Sequence, residues 1–215
     1  MASVNRSTSL WGRVFAAGYD QLMAGPEKAV LRSRREALVS RVTGDVLEVG
    51  GGTGANLPFY GAGVEKLVIT EPEEPMARRL ERKLAGYSLP ARVVRAPAEE
   101  LPLEDASFDF VVSTLVLCTV DDPARALAEI HRLLKPGGQL VFLEHVRSDD
   151  DGLARWQDRL NGVQVRVGHG CHCNRRTLEN IERAGFSIAE LEHDRMRKAP
   201  PIVRPLIAGL AKASA

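Results

Sequence analysis

Between residues 45 and 144, short apolar runs alternate with longer amphipathic stretches, and this alternation narrows the possible folds more than any other feature. The run 45–49 ends in glycines and reads as a buried strand. Further strands are expected at 65–70, 92–94, 108–113 and 139–144. Helices are expected over 73–85 and from about Pro123 to Leu134. Asp121 and Asp122 offer N-caps to the second of these helices. Lys135-Pro136-Gly137-Gly138 stops it and turns the chain. Strands that are apolar on both faces and separated by helices predict a parallel sheet covered on each side. Ligands of such sheets bind beyond the carboxyl ends of the strands. Gly50, Glu71, Ala96, Ser113 and His145 are therefore expected to ring one site. A helix over 176–184, a strand over 186–191 and a last strand over 206–210 follow.

The segment before the first strand reads differently. Residues 8–41 are amphipathic and helical, and Ala24-Gly25-Pro26 is expected to divide them into two helices, with Pro26 at the second start. Arg32, Arg34, Arg35 and Arg41 lie among Val30, Leu31, Leu38 and Val42 and read as a solvated basic face. Residues 1–43 are expected to form a helical lid on a domain spanning 44–215. A chain of 215 residues suits one such domain. A net charge of +1 and only 5% aromatic residues argue against a nucleic-acid partner. No apolar run approaches a membrane span, and the N-terminus lacks the pattern of a signal peptide. The three cysteines, Cys118, Cys171 and Cys173, suit reduced thiols and a cytoplasmic location. Nothing in the sequence assigns an oligomeric state.

The loop after the first strand is Gly50-Gly51-Gly52-Thr53-Gly54-Ala55. It satisfies the dinucleotide pattern G-x-G-x-x-A, which alone is weakly specific. Glu48 discriminates. A carboxylate there would repel a pyrophosphate but suits a ligand carrying an ammonium and a sulfonium, such as S-adenosylmethionine. Glu71 lies 21 positions after Gly50 at the end of the second strand. A carboxylate there can accept from both ribose hydroxyls, although Glu71-Pro72-Glu73 also reads as a helix start.

These residues, with Ala98-Glu99-Glu100-Leu101-Pro102-Leu103, Ser107-Phe108-Asp109-Phe110-Val111-Val112 and Leu133-Leu134-Lys135-Pro136-Gly137-Gly138, resemble the class I S-adenosylmethionine-dependent methyltransferases. The resemblance implies a Rossmann-like, doubly wound, mostly parallel seven-stranded sheet with an antiparallel last strand. It implies S-adenosylmethionine as cofactor, held by Glu48, Gly50, Gly51, Gly52, Gly54, Asn56, Glu71, Pro72, Met76, Ala98, Glu99, Thr114 and Leu115. Many relatives place an aspartate before the Ala98-Glu99 pair. Here that residue is Pro97, which leaves adenine to backbone groups around Ala98, to Glu99 and to apolar contacts. A further stretch, from Ser113-Thr114-Leu115-Val116-Leu117-Cys118 through Glu144-His145-Val146 and Gly170-Cys171 to Val203-Arg204-Pro205-Leu206, resembles the thiol S-methyltransferases of the methyltransferase-like group. No counterpart of that group's membrane-anchoring N-terminal helix is expected from this sequence.

Methyl transfer chiefly requires that the acceptor be positioned against the sulfonium and that water be kept out. His145 is a base candidate because it stands on the predicted ligand face and histidine is the side chain most often used to accept a proton at neutral pH. His172 is a second, and Tyr19 is expected to help close the pocket. Each also has a plain packing role available to it. His169-Gly170-Cys171-His172-Cys173 has zinc-ligand residue types, but four ligands within five residues cannot surround one ion, and no metal is expected there. Cys118 reads as a buried pocket wall. Leu153, Trp156 and Leu160 offer a lipophilic face between the fifth strand and residue 175. The expected function is methyl transfer from S-adenosylmethionine to a small lipophilic acceptor, with a thiol favoured. O-, N- or C-methylation of a natural-product, quinone or lipid intermediate is the alternative. A non-methylating protein that keeps the cofactor site is the second alternative.

Overall fold

The computed structural model describes residues 10–214, so the start of the expected first helix lies outside the described residues. Helices α1 (Leu10–Pro26) and α2 (Arg32–Val39) precede strands β1 (Gly44–Val49) and β2 (Val64–Thr70). Helix α3 (Glu74–Leu84), β3 (Ala91–Val94), β4 (Phe108–Thr114), α4 (Pro123–Leu133) and β5 (Leu134–His145) follow. The chain continues through α5 (Asp151–Val167), α6 (Thr177–Arg183), β6 (Phe186–Arg195) and β7 (Pro205–Ala213). The seven strands form one sheet in the order β3-β2-β1-β4-β5-β7-β6. Strands β1 to β5 pair in parallel, and β7 runs antiparallel to both β5 and β6. The alternation predicts the parallel strands covered on each side, and the doubly wound, mostly parallel sheet with its antiparallel last strand is the one that the resemblance implies.

Alternate residues of each strand face opposite layers. Val46 joins Val30, Leu38, Val39 and Leu80 on the face covered by α2 and α3. Leu47 joins Leu127, Ile130 and Ile181 on the face covered by α4 and α6. The carboxyl ends of β1, β2, β4 and β5 consequently share one edge of the sheet, as expected.

Two local expectations need correction. Gly25 and Pro26 do not separate two helices: α1 passes into α2 through a π-helical turn, Glu27–Leu31. A proline at the end of α1 removes a backbone donor, and a wide turn accommodates the defect without a break. Lys135-Pro136-Gly137-Gly138 does not separate helix from strand. These residues bulge within β5, between the pairs Phe108↔Leu134 and Phe110↔Gln139. The bulge is pinned by Lys135 Nζ, which donates to Asp45 at 2.8 Å and Asp109 at 2.9 Å. Trp156, one of the three apolar side chains of the expected lipophilic face, lies on α5. It is 55% exposed, and the side chains that α5 buries are Ala154 and Gln157. Gln157 Nε2 donates to the carbonyls of Val146, Cys173 and Ile202, so polar bonds help to hold α5 against the domain.

Candidate active site

The glycine loop leaves β1 with positive φ at Gly50, Gly52 and Gly54. Two positions show why side chains are excluded. A Cβ on Gly51 would collide with Ile69 of β2. Gly52, at φ 56°, faces open space, and a Cβ there would meet no atom within 4 Å. Only glycine adopts that conformation readily, and the exposed backbone there can approach a ligand closely.

Two buried carboxylates flank the loop. Glu48 accepts from Asn56 Nδ2 at 2.9 Å and from Tyr60 Oη at 2.7 Å. Burial pushes its carboxyl up to about 7, against the pull of those hydrogen bonds and of Arg35. Glu71 accepts from the backbone N–H of Gly52 and of Glu73, each at 2.9 Å. Burial raises it to about 7 as well, and the charges of Glu73 and Glu48 act in the same direction. Its two oxygens take two donors, leaving acceptor capacity for a diol.

Arg35 is the main site residue that the sequence does not reveal. The basic set reads as solvated, yet Arg35 is 3% exposed. It donates to Asn56 Oδ1 at 2.9 Å, Thr114 Oγ1 at 2.7 Å and Glu27 Oε1 at 3.1 Å. The π turn accounts for this placement. Eight residues of regular α-helix leave two side chains about 80° apart, and one wide turn removes most of that angle. Glu27 and Arg35 therefore share an inward face. Arg34 and Arg41 pair with acids on β6, namely Glu192, Asp194 and Glu190. Tyr60 is a second such residue, because no sequence pattern marks it.

Helix α1 lies against the loop. Asp20 accepts from Thr53 Oγ1 at 2.6 Å and from Arg79 at 2.8 Å, and Lys83 Nζ lies at 3.4 Å. Tyr19, one residue earlier, is pushed up to about 12, chiefly by burial. Phe15 stacks on His169 at 4.7 Å, and His169 bonds to Glu73. Thus α1, the start of α3 and the loop after α5 converge over one edge of the sheet.

At the ends of β4 and β5, Leu115 holds φ 62°, an uncommon conformation for leucine and a mark of a constrained turn. Buried Glu144 organises that turn. It accepts from Ser113 Oγ at 2.8 Å and from the backbone N–H of Val116 at 3.0 Å and Cys118 at 3.3 Å. Its neighbour His145 is 7% exposed. Its Nδ1 faces Cys171 Sγ at 3.3 Å and Cys118 Sγ at 3.7 Å, while Nε2 is buried without a partner among the described residues. His172 donates its backbone N–H to Cys118 O at 2.7 Å, and its ring Nδ1 lies 3.1 Å from Asn161 Nδ2.

The remaining expected residues fall unevenly. Met76 and Ala98 are buried near the ends of β2 and β3, whereas Pro72 is exposed. Glu99 is engaged elsewhere, accepting from the backbone N–H of Asp121 at 2.7 Å and Asp122 at 3.2 Å. That carboxylate supports the start of α4, where Asp122 is the N-cap.

Several known proteins are similar to this chain. A family model described as a methyltransferase domain matches residues 47–142. Thiol S-methyltransferase TMT1B of Rattus norvegicus is 40% identical over 151 residues, covering 68% of this chain and 62% of the rat protein. Thiol S-methyltransferase TMT1A of Homo sapiens is 33% identical over 201 residues, covering 92% of this chain and 82% of the human protein. Among solved structures, a possible histamine N-methyltransferase from Thermotoga maritima superposes with a TM-score of 0.67 and 25% identity, covering 94% of this chain and 98% of that one. The matched domain, the extent of these likenesses and the sheet order agree, and the chain belongs to the class I S-adenosylmethionine-dependent methyltransferases.

Proposed function

We propose that this methyltransferase transfers the methyl group to the sulfur of a small, lipophilic thiol. One observation carries the acceptor class: likeness to a thiol S-methyltransferase extends over 92% of the chain, well beyond the matched domain at 47–142. The chemistry of the acceptor edge supports it. Glu144, the buried carboxylate near the end of β5, is consumed by the turn it organises. A thiol with a pKa of about 8.5 loses its proton at neutral pH with little help, whereas a phenol of about 10 needs a stronger base.

Bound S-adenosylmethionine supplies a methyl group activated by its sulfonium. In this reading the glycine loop offers backbone to the ligand at Gly52, and Glu71 accepts from the ribose hydroxyls. Arg35, presented beside Asn56 and Thr114, receives the carboxylate of the methionyl end. Glu48 holds Asn56 and Tyr60 in place and sets the negative potential that favours a cationic ligand. Residues 1–43 act as the lid, with Tyr19 closing the pocket from α1. His145 orients the acceptor through Nε2, and His172 backs the same wall.

The test is mass-spectrometric detection of products across a panel of small thiols, phenols, amines and a quinol, with S-adenosylhomocysteine release followed in parallel. A methylated thiol as the main product supports the reading. A methylated phenol, amine or quinol with no thiol product replaces it. Cofactor binding without transfer to any acceptor points to a non-methylating role.

A further inference from the structure

Three side chains from three separate segments meet at the carboxyl end of β5. Cys118 follows β4, His145 ends β5, and Cys171 lies in the loop after α5. All three are buried, and their ligand atoms lie within 4.8 Å of one another. Cys171 Sγ lies 3.8 Å from Cys118 Sγ, and His145 Nδ1 lies 3.3 Å from the Cys171 sulfur and 3.7 Å from the Cys118 sulfur. Cys118 Sγ also lies 3.5 Å from Thr119 Oγ1.

We propose that Cys118, His145 and Cys171 form a zinc site with a fourth, open position. The spacing matches the metal. With Zn–S near 2.3 Å and Zn–N near 2.0 Å in a tetrahedron, two sulfurs stand about 3.8 Å apart, and a sulfur and a nitrogen about 3.6 Å apart. Two cysteines and one histidine with one position left open form a known catalytic pattern of zinc ligation. The sequence hides this set, because the pattern at 169–173 suggests ligands crowded into one loop. Only Cys171 of that loop takes part, and its partners lie 26 and 53 residues earlier.

The surroundings hold the ligands in register. Glu144 binds the backbone of Cys118, and the His172 N–H binds the Cys118 carbonyl. Thr177 Oγ1 donates to the His145 carbonyl at 3.3 Å. Outer partners of this kind orient ligands and tune a metal. Two thiolates balance a divalent ion, so the occupied site is neutral where two bare thiolates could not remain buried. Coordination through Nδ1 leaves the proton on Nε2. That N–H has no protein acceptor among the described residues, so it is available to a ligand.

The role of the fourth position rests on the proposed thiol acceptor. An acceptor thiol joining the ion releases its proton to water and binds as thiolate. Its sulfur then forms a bond to the methyl carbon while the bond from that carbon to the cofactor sulfur breaks. The bonding pair stays on the cofactor sulfur, which becomes a neutral thioether, and the methylated product leaves as a second neutral thioether.

The experiment uses the full chain, reduced and chelator-treated, then titrated with Co2+ and back-titrated with Zn2+. One equivalent of cobalt should give sulfur-to-cobalt charge-transfer absorption and tetrahedral d–d bands, and zinc should displace it. C118S and C171S should each weaken cobalt binding at least tenfold, while C173S leaves it unchanged, with melting curves showing which variants fold. Absent bands, or bands that survive in folded C118S or C171S, overturn the site. Adding 2-mercaptoethanol without cofactor should strengthen the charge-transfer absorption as a third thiolate joins. Unchanged bands would remove the acceptor from the metal. Metal binding without any thiol product would sink the thiol reading alone, and thiol methylation without metal binding would sink the site alone.

Discussion

Glu71 shows how one residue couples burial to ligand binding. Its carboxyl is raised to about 7 from an ordinary 4.5. Between those values the folded protein keeps a proton that the unfolded chain has released, so this group's contribution to stability falls as pH rises from about 4.5 to 7. Cofactor affinity should run the other way, rising through about pH 7 as the carboxylate becomes a full acceptor. Glu71→Gln should weaken S-adenosylmethionine binding by roughly tenfold to a hundredfold at pH 8, the range expected for hydrogen bonds to a charged group. Calorimetric titration checks this. The pH dependence should become shallower but not flat, since Glu48 is also raised to about 7. The roles read for Glu48 and Glu71 follow from their spacing around a glycine loop, which a sequence displays directly. Arg35 is hidden for the opposite reason. Whether an arginine in a basic run turns inward depends on the phase of its helix, and a single wide turn changes that phase.

Between α1 and the glycine loop the connection is polar and concentrated. Asp20 bridges Thr53, Arg79 and Lys83, and Arg79 also donates to the carbonyls of Ala16 and Ala17. An exposed ion pair contributes only about 0.2–1 kcal/mol, so the clamp should open without unfolding the sheet. Asp20→Ala should speed proteolysis within residues 10–26 and weaken cofactor binding several-fold, while the main melting transition moves by less than about 2 °C. Cleavage at the wild-type rate would argue that α1 is held by its packing instead. At this scale the strands are the legible part. Their apolar runs are short, separate and bounded by glycine, proline or acidic caps. The bulge at Lys135–Gly138 and the continuous passage from α1 to α2 are not legible. Proline and glycine mark a disturbance of the backbone, but tertiary pairing decides between a break, a bulge and a wide turn.

For the molecule as a whole, the site draws on α1, β1, β2, β4 and β5, so a bound ligand ties together elements that are distant in sequence. S-adenosylmethionine at about 100 times its Kd should stabilise the folded state by about 2.7 kcal/mol. For a chain of this size that is a rise in Tm of roughly 5–11 °C in a thermal scan. NAD should give no such shift. The sheet order carries one more consequence. Strand β7 is made after the six others, yet it pairs between β5 and β6. As the chain leaves the ribosome, β5 therefore waits with one edge unpaired until residues 205–213 appear, and the nearly continuous apolar row Leu140–Leu143 lies along that edge. Open apolar edges invite pairing with other chains. Nascent chains stalled just before residue 205 are thus the species that chaperones should be found holding.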